Sequence, residues 1–101
     1  MKINVLQPLK DYEGNPLLDK NTKKPVLLRD IIVRALNHTL NGEKPGSAEE
    51  KTKLYQLSVK VQTTKEVDLT AEEISKIKAN TAELFSPLIA GQTCLILEGK
   101  E

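Results

Sequence analysis

At Leu27 the spacing of apolar residues changes, and that change limits what the chain can fold into. Downstream, Leu28, Ile31, Ile32, Ala35, Leu36 and Leu40 recur at steps of three and four, the period of one helix face. Arg29, Asp30, Arg34 and Asn37 fall largely on the opposite face. The spacing predicts a helix over 27–41, closed by Asn41-Gly42 as a left-handed cap. Upstream, Ile3, Val5 and Leu9 suit a short extended segment broken by Pro8. Turn formers from Asp11 to Pro16 follow, then Leu17-Leu18 and a polar DKNTKK stretch closed by Pro25. A β-hairpin is expected over 1–26, its register left open.

After a loop at Glu43–Gly46, Ser47-Ala48-Glu49-Glu50 has the form of a capping box. It predicts a helix over 47–61 with a narrow stripe of Leu54, Leu57 and Val61, flanked by Tyr55 and Val59. Val67-Asp68-Leu69 reads as a short extended piece. Thr70-Ala71-Glu72-Glu73 repeats the box and opens a helix over 71–85, with Ile74, Ile77, Thr81 and Leu84 as its buried seam. Ser86-Pro87 supplies a further start, Pro87 standing at the first helical position. The last segment, 87–98, is the most apolar and suits either a helix or, from Thr93 to Leu97, a buried strand. Gly91 either permits close helix packing there or splits the segment. The expected class is therefore α+β and mostly helical. It is a single domain over 1–101, with an N-terminal β-hairpin region followed by three to four short helices.

Only Tyr12, Tyr55 and Phe85 are aromatic, so the core has to be built from Leu, Ile and Val. Such a core is modest for a chain this short, which makes oligomerisation a natural source of extra stability. The net charge of +1 lowers the expectation of nucleic-acid binding, which draws much of its affinity from a basic excess. The single cysteine, Cys94, excludes an intrachain disulfide, and its apolar neighbours suggest a buried thiol. No apolar stretch approaches the ~20 residues of a membrane span, and the start of the chain lacks the apolar run of a signal peptide. A reducing, cytoplasmic setting and no membrane contact are expected.

No constellation for catalysis or metal binding emerges. His38 is the only histidine. Near a helix C-terminus it suits a capping or surface role. One histidine and one cysteine far apart cannot complete a zinc tetrad. Glu49-Glu50 and Glu72-Glu73 each occupy a helix first turn, where the dipole favours carboxylates. Asp11 to Asn15 resembles the start of a calcium loop, yet the twelfth position, Thr22, is not acidic. Asn37-His38-Thr39 matches a glycosylation acceptor, which has no meaning without secretion. No catalytic activity, cofactor or metal is expected.

Two surfaces are candidates for binding. Ile74, Ile77, Leu84, Phe85, Leu88, Ile89, Leu95 and Leu97 carry more apolar area than one narrow helix face needs. They form either the core or a partner-binding surface, including a homo-oligomer interface. Lys20, Lys23 and Lys24 are candidates for anion or nucleic-acid contact; lysines equally blunt strand edges. Lys51, Lys53 and Lys60 add basic residues on the second helix, but no aromatic pair offers a base-stacking platform. A small charged ligand, such as a nucleotide, bound at a subunit junction is a further alternative.

The segments LKDYEGNPL, LLRDIIVRALN, AEEKTKLYQLSVKV and EVDLTAEEISKIKANTAELFSPLIAGQTCLILEG together resemble small accessory proteins encoded in tailed-phage and prophage genomes. The order of hairpin, helix and capped helices is also similar to phage tail-assembly chaperones. The resemblance implies the host bacterial cytoplasm and a role through protein binding, in assembly or in control of a host or phage machine. It carries no catalytic motif to map onto this chain.

Overall fold

The computed structural model describes residues 2–38 and 46–99. Its elements in chain order are β1 (Lys2–Asn4), α1 (Leu28–Leu36), α2 (Ala48–Thr63), β2 (Glu66–Asp68), α3 (Ala71–Leu84) and α4 (Pro87–Leu97). The class is α+β and mostly helical. α1 is the centre: α2 and α3 both pack on it, and α4 packs on α3. Leu28, Ile31, Ile32, Ala35 and Leu36 of α1 are all buried, as their spacing predicts.

The N-terminal region differs in its pairing from the expected hairpin. It reverses twice, with isolated antiparallel bridges Pro8–Leu27, Lys10–Pro16 and Leu18–Pro25. Each bridge contains a proline, which offers no N–H, so none grows into a ladder. The sheet instead joins the chain start to a distant segment. β1 and β2 are antiparallel, with Ile3 opposite Val67, and both of these side chains are buried. Each reversal begins at an aspartate whose carboxylate holds the turn. Asp11 Oδ1 accepts from the Glu13 and Asn15 amides, and Asp19 Oδ1 from those of Asn21 and Thr22. The second turn forces Lys23 to φ 60°, a conformation that suits glycine better.

Helix starts follow the sequence closely. Ser47 Oγ accepts from the Glu50 amide at 3.1 Å. Thr70 and Glu73 complete a reciprocal box, at 3.2 Å from the Glu73 amide to the hydroxyl and 2.8 Å from the Thr70 amide to the carboxylate. Three helix ends, Thr63, Leu84 and Leu97, also fall within two residues of the expected ones; the end of α1 does not. α1 stops at Leu36 rather than continuing to 41; Asn41-Gly42 lies outside the described residues. The reason is tertiary: buried Asn80 of α3 donates through Nδ2 to the Ala35 carbonyl at 2.8 Å and the His38 carbonyl at 3.1 Å. Arg29 of α1 does the same for α2, donating to the carbonyls of Val61 (3.0 Å) and Thr64 (2.7 Å).

Residues 93–97 are helical. A strand there would bury Thr93, Leu95 and Leu97 together, whereas Leu95 is 40% exposed and Ala90, Thr93, Ile96 and Leu97 are the buried set. Gly91 neither breaks the helix nor admits a neighbour: it is exposed, with open space where a Cβ would stand. Cys94 is half-buried rather than fully enclosed.

Candidate binding groove

The second reversal, α1 and the α3–α4 junction meet around a groove of about 840 Å³. Its apolar lining comes from three places. Leu17, Leu18 and Val26 belong to the reversal, Ile31 and Val33 to α1, and Phe85 and Ile89 to the α3–α4 junction. Local chemistry explains each contribution. The Asp19 turn folds Leu17 back against Val26, whose amide donates to the Leu17 carbonyl at 2.8 Å. Val33 lies beside the fully buried face of α1 and remains partly accessible. Phe85 caps the C-terminus of α3, its amide bonded to the Thr81 carbonyl, and Ser86-Pro87 starts α4 immediately, so Phe85 and Ile89 are brought to the same wall.

The rim is charged, and its two signs are differently engaged. Asp19 and Asp30 both line the groove. The Asn21 amide, then that of Thr22, holds the Asp19 carboxyl below its ordinary range, with a smaller pull from Arg34. Asp30 Oδ2 accepts from the Leu27 amide at 3.2 Å. Lys20, Lys24 and Arg34 also line the groove, and none of them is bonded or ion-paired through its side chain to another described residue. Both acids thus accept backbone amides, and Arg34 additionally acts on Asp19 through space.

A shallower depression adjoins it, lined by Arg34, Asn37, His38, Leu84 and Phe85. Arg34 and Phe85 are common to both, so the two form one continuous surface. It carries exposed leucines, Leu18 at 52% and Leu84 at 41%. His38 Nε2 stands 3.4 Å from Glu83 Oε1.

The predicted binding residues divide accordingly. Ile77 and Leu97 are core. Phe85 and Ile89 reach the groove, Leu84 and Phe85 the depression, and Lys20 and Lys24 the rim. Ile74 packs against the core, Leu88 is half-buried, and Leu95 is exposed elsewhere on α4. Lys23 is not part of the lining. Sequence reasoning missed Val33 and Arg34. Both lie off the ideal buried face of α1, and an apolar residue beside an arginine there was the available signal.

Among the described residues no group of three or more His, Cys, Asp or Glu side chains could hold a metal ion, and no helix is long and apolar enough to cross a membrane. Comparison with protein-family models, curated proteins and solved structures gave no match.

Proposed function

We propose that this chain is a non-enzymatic, phage-encoded accessory protein that works in the bacterial cytoplasm by binding another protein through this groove. The observation that carries the reading is the convergence at one site of Phe85 and Ile89 with Lys20 and Lys24. An apolar floor with charged groups at the edge is the usual composition of a recognition surface: the floor supplies affinity and the rim orientation. The exposed Leu18 and Leu84 add to the apolar area of the surface.

The test is affinity capture from phage-infected cells with the wild-type chain and with Leu18→Glu/Arg34→Glu. Both substituted side chains are exposed, so the fold should tolerate the change. A partner retained by wild type and by a Tyr55→Ser control, but lost by the groove variant, supports the reading. A partner held equally by the groove variant overturns the groove. A gel shift of nucleic acid at low salt, abolished by the same variant, would replace the protein partner with the nucleic-acid reading.

A further inference from the structure

We infer that the groove takes an extended segment of the partner protein, paired through its backbone with Leu18, a conclusion that rests on the protein-binding reading above. The rim holds Asp19 and Asp30 as well as Lys20, Lys24 and Arg34, so charge selects no occupant. Backbone geometry does. The N-terminal region contains three short pieces, each paired with the other two. The Leu9 amide donates to the Val26 carbonyl at 2.9 Å, the Val26 amide to the Leu17 carbonyl at 2.8 Å and the Leu17 amide to the Leu9 carbonyl at 2.8 Å, which closes a ring. The next residue of each piece, Lys10, Leu18 or Leu27, stands in a bridge whose hydrogen bonds are made by the flanking residues. Its own N–H and C=O therefore point outward.

The chain fills two of these three outward pairs itself. At Lys10 the Gln92 side-chain amide accepts from the N–H at 2.8 Å and donates to the C=O at 2.5 Å. At Leu27 the Asp30 carboxylate accepts from the N–H at 3.2 Å and the Asp30 amide donates to the C=O at 3.0 Å. At Leu18 neither group has a partner among the described residues, and the residue is 52% exposed in the wall of the groove. The filling at Lys10 shows what the vacant position takes: one donor and one acceptor together, as an extended backbone presents them. A helix has spent those groups on itself. A residue paired with Leu18 places its side chain on the same face as that of Leu18, which lines the groove with Phe85 and Ile89. That position favours an apolar side chain and excludes proline, which has no N–H.

The experiment uses a capped synthetic peptide of about seven residues, a strand's usual length, alternating threonine and valine around a central leucine. It is titrated into the isotopically labelled chain and followed by amide NMR shifts and hydrogen exchange. The Leu18 amide is expected to shift and to gain protection. N-methylation of the central leucine removes the donor to the Leu18 carbonyl, and binding should weaken about tenfold. N-methylation of the adjacent residue, whose N–H points away from Leu18, should leave binding unchanged. A leucine-faced helical peptide of about 18 residues, partly helical alone, is the comparison ligand and should bind more weakly.

Equal binding of the two N-methylated peptides overturns the backbone pairing and leaves the protein-binding reading intact. Binding of the helical peptide alone overturns the extended form. Protection of the Leu18 amide that grows with the concentration of the free chain assigns the edge to a second copy and overturns the partner segment. Binding of no peptide also overturns the inference, and the capture experiment above then decides the wider reading separately.

Discussion

Residues 5–27 and 70–97 are built on opposite plans, and the groove lies where they meet. The first region turns on aspartate side chains and proline-interrupted bridges, and it buries few side chains, Val5 and Leu9 chief among them. The second is two helices with orthodox starts and a continuous buried seam. Contact between the two is specific. Gln92 of α4 accepts from the Lys10 amide at 2.8 Å and donates to the Lys10 carbonyl at 2.5 Å, pairing with the turn region as a strand would. A region with little regular structure is thus tied to a helical one through its backbone, and the difference teaches that low secondary structure need not mean independence.

The sharpest way to break that comparison is to remove one buried side chain from each region. Leu9 and Ile77 are both fully buried, and truncation to alanine is expected to lower stability by about 3 kcal/mol in either case. Urea unfolding measures it. A loss below about 1 kcal/mol for Leu9→Ala alone would show that the turn region opens on its own.

Cutting the link should have a smaller effect. Gln92→Ala removes both bonds to Lys10 at a site water can reach, so about 1 kcal/mol is expected. Hydrogen exchange at the Lys10 amide should accelerate while α3 stays protected.

Glycine should act in opposite directions in the two regions. Gly91→Ala fills open space on an exposed helix position and is expected to stabilise by roughly 0.5–1 kcal/mol in thermal unfolding. Lys23→Gly relieves a left-handed residue, and after the added chain entropy of glycine the gain should be a few tenths of a kcal/mol. Loss of stability in either variant contradicts the geometry of that turn or helix.

The smallest effects are in pH, and they have opposite signs. The Asp19 carboxyl is held low by the Asn21 and Thr22 amides. Its contribution is complete above the unfolded value near 4 and disappears as pH falls through the folded one. Lys78 is held high by its hydrogen bond to Glu98, so its contribution is complete below the unfolded value near 10.4 and is lost as pH rises through the folded one. Amide NMR should show the Asn21–Thr22 turn loosening first in acid and the α3–α4 joint first in alkali. Asp19→Asn should remove the acid response alone.

Features written in neighbouring residues were legible. The α1 face, the Ser47 and Thr70 starts and the Ser86-Pro87 junction depend on spacings of one to four residues, and each is where that chemistry puts it. Features that depend on distant partners were not legible. Nothing in Ile3 or Val67 says that they face one another. Asn80 reads as one more polar residue on a helix until it is seen at the end of α1. The groove shows both cases: Phe85, Ile89, Lys20 and Lys24 stood out individually, but their convergence depends on the second reversal and the α3–α4 junction meeting beside α1.

The two borrowed helix ends carry a consequence for how this molecule fails. Asn80 of α3 bonds the end of α1, and Arg29 of α1 bonds the end of α2, so the last turns of α1 and α2 each lean on another helix, while α3 ends on its own Phe85–Thr81 bond. Fraying, which in an isolated helix starts at the ends and stays local, here strips a neighbour of its donor or acceptor. Disorder introduced anywhere in this series spreads to the next member, and the protein should lose α1, α2 and α3 in one step rather than melt from its tips.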